Sequence, residues 1–304
     1  MSSKLTPFSF LTHALSINGS AAPRVVGRVL AFGLWAFLLA LIHRSKYLPD
    51  LNILVAPYEL AGAALGLLMV LRTNAGYERW WEARKFWGSI LNSSRSLAIT
   101  ASAYGPDDPA WRSGVARRIA AFAHVTRRSL RGQRELPEVA ALLGQAEADA
   151  LAASYHMPTT AARDLVRALR PGLDDFAFLQ ADALRCRLVD DLGGCERIAN
   201  TPLPLAYAIE IRRFIFLYLA TLPFVLFETV PKSQVIWAVP LLVLLVSYPF
   251  VAIDKIGHEL QHPFEVGRLN HLPLDEFTSR IEANVLSLLD PATILPPPTK
   301  ATHP

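Results

Sequence analysis

His258, Glu259 and His262 stand in the run HELQH, the spacing at which a helix presents two imidazoles one turn apart with a carboxylate beside them. Such a set can hold zinc and use the Glu to activate water. It follows directly on a long apolar segment, so an intramembrane zinc protease is one reading of the chain. Two features weigh against it. Catalytic zinc needs a third protein ligand, and no candidate stands in another apolar segment, since Asp254 belongs to the same short stretch. Pro263 follows His262 at once and ends the helix there, which leaves the second imidazole poorly oriented. Glycine-rich phosphate loops and nucleophile elbows are absent from the sequence. The expectation is a protein that is not an enzyme and carries no metal and no cofactor.

The passage of ions is a different chemistry, and residues 59–95, ELAGAALGLLMVLRTNAGYERWWEARKFWGSILNSSR, could support it. No charge occurs from Leu60 to Leu71, and Ala63, Leu67 and Leu71 recur every four residues along one face of a helix. Gly62, Ala64 and Gly66 lie off that line and would let neighbouring helices approach closely. This pattern fits ordinary helix packing. It also fits an apolar constriction in which the Ala63, Leu67 and Leu71 line faces a pore. Glu59 lies one turn before Ala63 and is either a solvated helix-end carboxylate or a charge at the pore mouth. Past Leu71 come Arg72, Tyr77, Arg79, Trp80, Trp81 and Trp87, the composition of an interfacial aromatic belt on a positively charged side.

The rest of the chain must position that helix. Its 304 residues are 52% apolar, and the mean hydropathy is +0.28, which points to a membrane protein. Net charge is +4 with Lys and Arg spread along the chain, so no nucleic-acid partner is expected. Cys186 and Cys195 are too few for a disulfide framework and are expected as thiols. Apolar spans are expected at 25–42, 51–71, 214–230 and 235–253. Arg28, near the start of the first, can snorkel to the interface.

Four spans put both termini on one side of the membrane. Arg72, Arg79, Arg84, Lys85, Arg197, Arg212 and Arg213 flank the middle segment, against Arg44, Lys46 and Lys232 in the short loops, which places the termini and the middle segment in the cytosol. The expected organisation is an interfacial amphipathic segment (1–24, not a signal peptide), two spans (25–75), a helical cytosolic domain (76–206), two further spans (207–254) and a cytosolic helix with its tail (255–304). Within the middle domain, Asp107-Asp108-Pro109 predicts a helix start, and Pro158 predicts another that ends at Pro171-Gly172. A further helix over 173–197 is expected to break at Gly193-Gly194. Most of Arg117, Arg118, Arg127, Arg128, Arg131 and Arg134 are expected on a solvated face.

Three blocks carry a resemblance to a known family. RTNAGYERWWEARKFWGSILNSSR at 72–95 resembles the signature that follows the pore helix in prokaryotic bestrophins, and CERIANTPLPLAYAIEIRRFIFLYLATLPF at 195–224 and HPFEVGRLNHLPLDEFTSRIEANVLSLL at 262–289 agree with it in order and spacing. The resemblance spans nearly the whole chain. It implies an all-α membrane protein, four transmembrane helices plus a cytosolic helical domain, assembled as a homopentamer around one central pore in a bacterial inner membrane. It implies a neck at Ala63, Leu67 and Leu71 and a cytosolic narrowing near Leu179. Asp174 and Asp175, about one turn before Leu179, would ring that narrowing with carboxylates. His258 and His262 then become local variations, with His258 and Glu259 dispensable for conduction.

The resemblance leaves selectivity open. Prokaryotic relatives favour monovalent cations while the family as a whole is known for chloride. An aliphatic neck with Glu59, Asp174 and Asp175 at its mouths leans toward sodium and potassium. Eukaryotic members bind calcium through an acidic run after the Pro-Phe element. Here Pro263-Phe264 leads into Glu265, Val266, Gly267, Arg268, Leu269 and Asn270, a single carboxylate where calcium needs six or more oxygens, so calcium gating is not expected.

Overall fold

The computed structural model describes residues 14–17, 19–45, 54–229 and 236–289, and among them every regular element is helical. The expected amphipathic patch up to residue 13 and the loops carrying Lys46 and Lys232 lie outside the described residues. The long helices are α1 (Ala22–Arg44), α2 (Val55–Tyr104) and α3 (Pro109–Leu130). Short helices α4 (Pro137–Leu143), α5 (Gln145–Ala153) and α6 (Met157–Leu169) follow, then α7 (Asp175–Asn200), α8 (Leu205–Thr229), α9 (Ala238–Leu260) and α10 (Leu274–Leu289). The chain divides into two compact units.

The first unit takes Met1–Arg79, Pro202–His262 and Gly267–Asn270. Its core is one seam of small and branched residues: Val25, Val29 and Ala36 of α1, Leu65 and Met69 of α2, Ile211, Ile215 and Leu219 of α8, and Val239 and Val243 of α9. The opposite faces are no more polar. Leu30, Leu34, Phe37 and Leu41 of α1, Phe214 and Leu217 of α8, and Leu241 and Leu245 of α9 all lie exposed. A helix in water would turn polar side chains outward, and outward-facing apolar residues are what a lipid solvent allows.

Among the described residues, α1, α2 and α9 are long and apolar enough to cross a bilayer. Helix α2 has 50 residues. At 1.5 Å per residue it is about 75 Å long against a hydrocarbon core of about 30 Å, so a large part of it must leave the bilayer. Helix α8 carries Glu210, Arg212, Arg213 and Glu228 around an uncharged stretch from Phe214 to Phe227. At Gly76 a β-carbon would come 2.9 Å from the Gly257 carbonyl oxygen, so only glycine lets α2 and α9 approach this closely.

The second unit takes Trp80–Thr201, Pro263–Val266 and His271–Pro304. Helix α3 is its axis: from Val115 to Arg127 almost every residue is buried, as expected for a helix with neighbours all round. Asp108 caps it by accepting from the Ala110 N–H at 3.0 Å, with Pro109 in the first turn. Helix α6 runs as expected into the turn at Arg170–Gly172.

Two expectations for this unit fail. Helix α7 does not break at Gly193-Gly194, because a side chain at Gly194 would meet the Phe86 ring at 2.4 Å, and the glycine is a packing notch for α2. The arginines of α3 are not all solvated. Arg127 is buried and reaches Glu138 at 2.6 Å, Asp275 at 2.8 Å and the Thr278 hydroxyl at 3.1 Å. Arg128 also holds Glu138, and Arg131 pairs with Asp275 at 2.7 Å.

Burial alone would raise the Glu138 carboxyl, but the hydrogen bonds from Arg128 and Arg127 outweigh it and hold the pKa down at about 2, against 4.5 for the free group. A pKa depressed by folding stabilises the native state fully above the unfolded value and loses that contribution as pH falls through the folded one. The melting temperature of the full-length protein in detergent should therefore drop between about pH 4.5 and about pH 2, the range set by those two values. Glu138→Gln should lower the neutral-pH melting temperature and flatten the acid limb. An unchanged acid limb would dissociate Glu138 from acid stability.

Candidate pore face and the ion-paired helix ends

Helix α2 buries one narrow face and exposes a wider one that also takes in Leu60, Ala64 and Val70. Leu65, Met69, Arg72 and Gly76 are buried, whereas Glu59, Ala63, Leu67 and Leu71 are exposed on another face, Leu67 by 61% and Leu71 by 53%. Tyr58 anchors the N-terminal end of α2 by donating its hydroxyl to the Tyr218 carbonyl, with the two rings stacked at 4.4 Å. Gly62 faces the Tyr218 hydroxyl, which fixes the rotation of α2 against α8. Leu68 is only partly exposed and lies between the two faces. The chain thus leaves an aliphatic stripe of α2 uncovered, with one carboxylate at its outer end.

The second group of site residues sits in the other unit, in the first turns of α7. Leu179 is 64% exposed. Phe176, one turn earlier, is 85% exposed and escaped the sequence reading, although an aromatic residue three positions before an expected constriction was the available signal. The nearby carboxylates have local employment. Asp174 caps α7 by accepting from the Ala177 N–H at 2.8 Å, and Asp175 pairs with Arg170 at 2.8 Å.

The HELQH run is used for structure. Glu259 is fully buried, with one oxygen held by Arg24 at 2.7 Å and Lys255 at 3.1 Å and the other accepting from the Leu269 N–H at 2.6 Å. A carboxylate so occupied is not free to take a proton from water. The His258 and His262 rings meet edge to face, and no cluster of three potential metal ligands occurs among the described residues. Asp254 is engaged too, by Arg72, which is 1% exposed, and by Arg212 at 3.3 Å. Arg72 is therefore a buried strut, paired inside the unit and not turned toward headgroups.

Glu259 consequently has a structural role beside its expected dispensability for conduction. Glu259→Gln should lower the melting temperature, at a cost of about 1–3 kcal/mol for weakening charged hydrogen bonds in a buried site. His258→Ala should leave ion flux unchanged. Stoichiometric zinc in the purified protein would contradict this assignment.

A family model described as "Bacterial/Fungal Bestrophin protein" matches residues 1–287. The voltage-dependent anion channel-forming protein YneE of Escherichia coli is 33% identical over 92% of this chain and 92% of its own length. A voltage-dependent anion channel-forming protein of Nostoc is 32% identical over 90% of this chain and 89% of its own. The crystal structure of a bacterial bestrophin homologue from Klebsiella pneumoniae superposes with a TM-score of 0.79 at 26% identity, covering 87% of this chain and 98% of that one. A nearly complete family match and relatives aligned over most of their length give the protease reading no support: the chain belongs to the bestrophin family, whose members are membrane ion channels and not enzymes.

Proposed function

We propose that the protein assembles as a homopentamer around one central pore and passes monovalent ions through a neck made by Ala63, Leu67 and Leu71 from each copy. The observation that carries this reading is the uncovered aliphatic stripe of α2, opposite the face that the chain buries. Five such stripes around an axis would form an apolar gate that conducts when wetted. Leu179, joined by Phe176, would form a second narrowing. Helix α8 is the fourth span in this arrangement, with Arg212 and Arg213 at the cytosolic face, so the termini lie in the cytoplasm of a bacterial cell bounded by its inner membrane.

Selectivity for sodium and potassium over chloride follows if Glu59 provides the charged ring, since α7 contributes less: Asp175 is paired with Arg170, and Asp174, though it keeps its charge, faces the partly positive helix end that it caps. The same pairing favours the second reading, chloride conduction, which the anion-channel names of the relatives also support. A reversal potential under a potassium chloride gradient separates the two. The expected value lies toward the potassium equilibrium potential, and Glu59→Gln should move it toward zero. A parent value at the chloride potential would exclude the cation reading.

A further inference from the structure

At the end of the first unit where α1 begins and α9 finishes, a pocket of about 320 Å³ opens between α1, α8 and α9. Its lining has an uncommon order. Arg28 precedes Phe32 by one helical turn on α1, and Arg212 precedes Phe216 by one turn on α8, so on both helices a guanidinium stands one turn from a phenyl ring toward the middle of the span. The two ring centroids lie 6.2 Å apart, and Val251 of α9 also lines the pocket. Asp254 also lines the pocket, but Arg72 and Arg212 hold its oxygens. Three guanidinium groups, those of Arg28, Arg72 and Arg212, against one carboxylate leave two positive charges uncompensated. Arg28 has no ion-pair partner among the described residues, and the Arg212 side chain is 46% exposed.

We propose that this pocket binds an anionic phospholipid, with Arg28 and Arg212 holding the headgroup phosphate and Phe32 and Phe216 flanking an acyl chain. The charge excess calls for an anion, because a guanidinium gives charge-assisted, fork-shaped hydrogen bonds to phosphate. The position calls for a lipid. The charged end lies at the level where a span meets the headgroups, and the apolar end continues along surfaces already exposed to hydrocarbon. A soluble anion would use the arginines but leave the aromatic half of the pocket empty. The proposal requires only that the first unit is in a membrane and does not depend on the pore reading.

Native mass spectrometry of the full-length protein, released from bilayers of equal phosphatidylglycerol and phosphatidylcholine, tests it. Phosphatidylglycerol should stay bound in preference to phosphatidylcholine, and Arg28→Gln should weaken its retention about tenfold, the effect of losing one charged contact. Arg28→Gln breaks no ion pair, so its melting temperature in lipid-free detergent should match the parent. Arg212→Gln should weaken retention similarly, with its melting temperature recorded because it also unpairs one side of Asp254. Equal retention of the two lipids, or unchanged retention in Arg28→Gln, would overturn the proposal. Displacement of the lipid by millimolar inorganic phosphate would overturn it as well, by assigning the pocket to a soluble anion.

Discussion

Asp254→Asn should leave little folded protein: Arg72 is 1% exposed, and the change strips its guanidinium of the only carboxylate that reaches it among the described residues. Among the described residues the Nε and Nη2 atoms of Arg72 have no hydrogen-bond partner, so its ties run through the Asp254 contact alone. Removing one member of a buried pair typically costs about 3–5 kcal/mol, because the remaining ion stays desolvated. That is a large fraction of the stability of an average domain. The expected readouts are a lost or broadened size-exclusion peak and a melting transition many degrees below the parent.

A second variant separates charge imbalance from mere loss of contact. Replacing both partners, Arg72→Met with Asp254→Leu, removes the buried charge altogether and should recover most of the lost stability. Arg212 would then lose its partner at little cost, since its side chain is 46% exposed and can reach water. If Asp254→Asn melts with the parent, Arg72 has a compensating group in the assembled channel, and the strut assignment fails.

What the sequence disclosed was local. The cap at Asp108-Pro109 and the helix that starts beside Pro158 are each decided by residues within a turn or two, and both were legible. The uncovered stripe of α2 was legible as well, from a spacing of four. The misreadings are long-range. A glycine pair looks like a break until the Phe86 ring is found filling the notch at Gly194. Arginines on α3 look solvated until Asp275, 144 residues beyond Arg131, comes back to meet them. HELQH looks like a metal site because its three residues are neighbours, whereas the ligand that settles the role of Glu259 is Arg24, 235 residues away. Short helices α4 and α5 went unread because segments of 7 and 9 residues offer too few turns for an apolar period to stand out. Pairings across the chain decide whether a charge is a strut or a surface group, and no window of sequence contains them.

Leu67→Ala and Leu71→Ala should each raise single-channel conductance several-fold, and the double change more, if the exposed stripe of α2 is the neck. An aliphatic ring resists conduction because a narrow apolar passage excludes water, and an ion entering it gives up part of its hydration shell. Shortening leucine to alanine widens the passage and lets water persist in it. The cost to folding should be small, because Leu67 is 61% exposed and Leu71 53% exposed within the chain, so no core cavity opens. Leu65→Ala is the opposite case. Leu65 is 4% exposed in the core of the first unit, and its truncation should cost about 2–5 kcal/mol without a specific gain in current. Leu68, about 100° around the helix from Leu67, should resemble Leu65 more than Leu67. Planar bilayer recordings of the four single variants, with melting curves for each, distinguish a gate from a packing face. If Leu68→Ala raises conductance and Leu67→Ala does not, the pore lies along a different stripe of α2, and the neck must be reassigned to the side that carries Leu68.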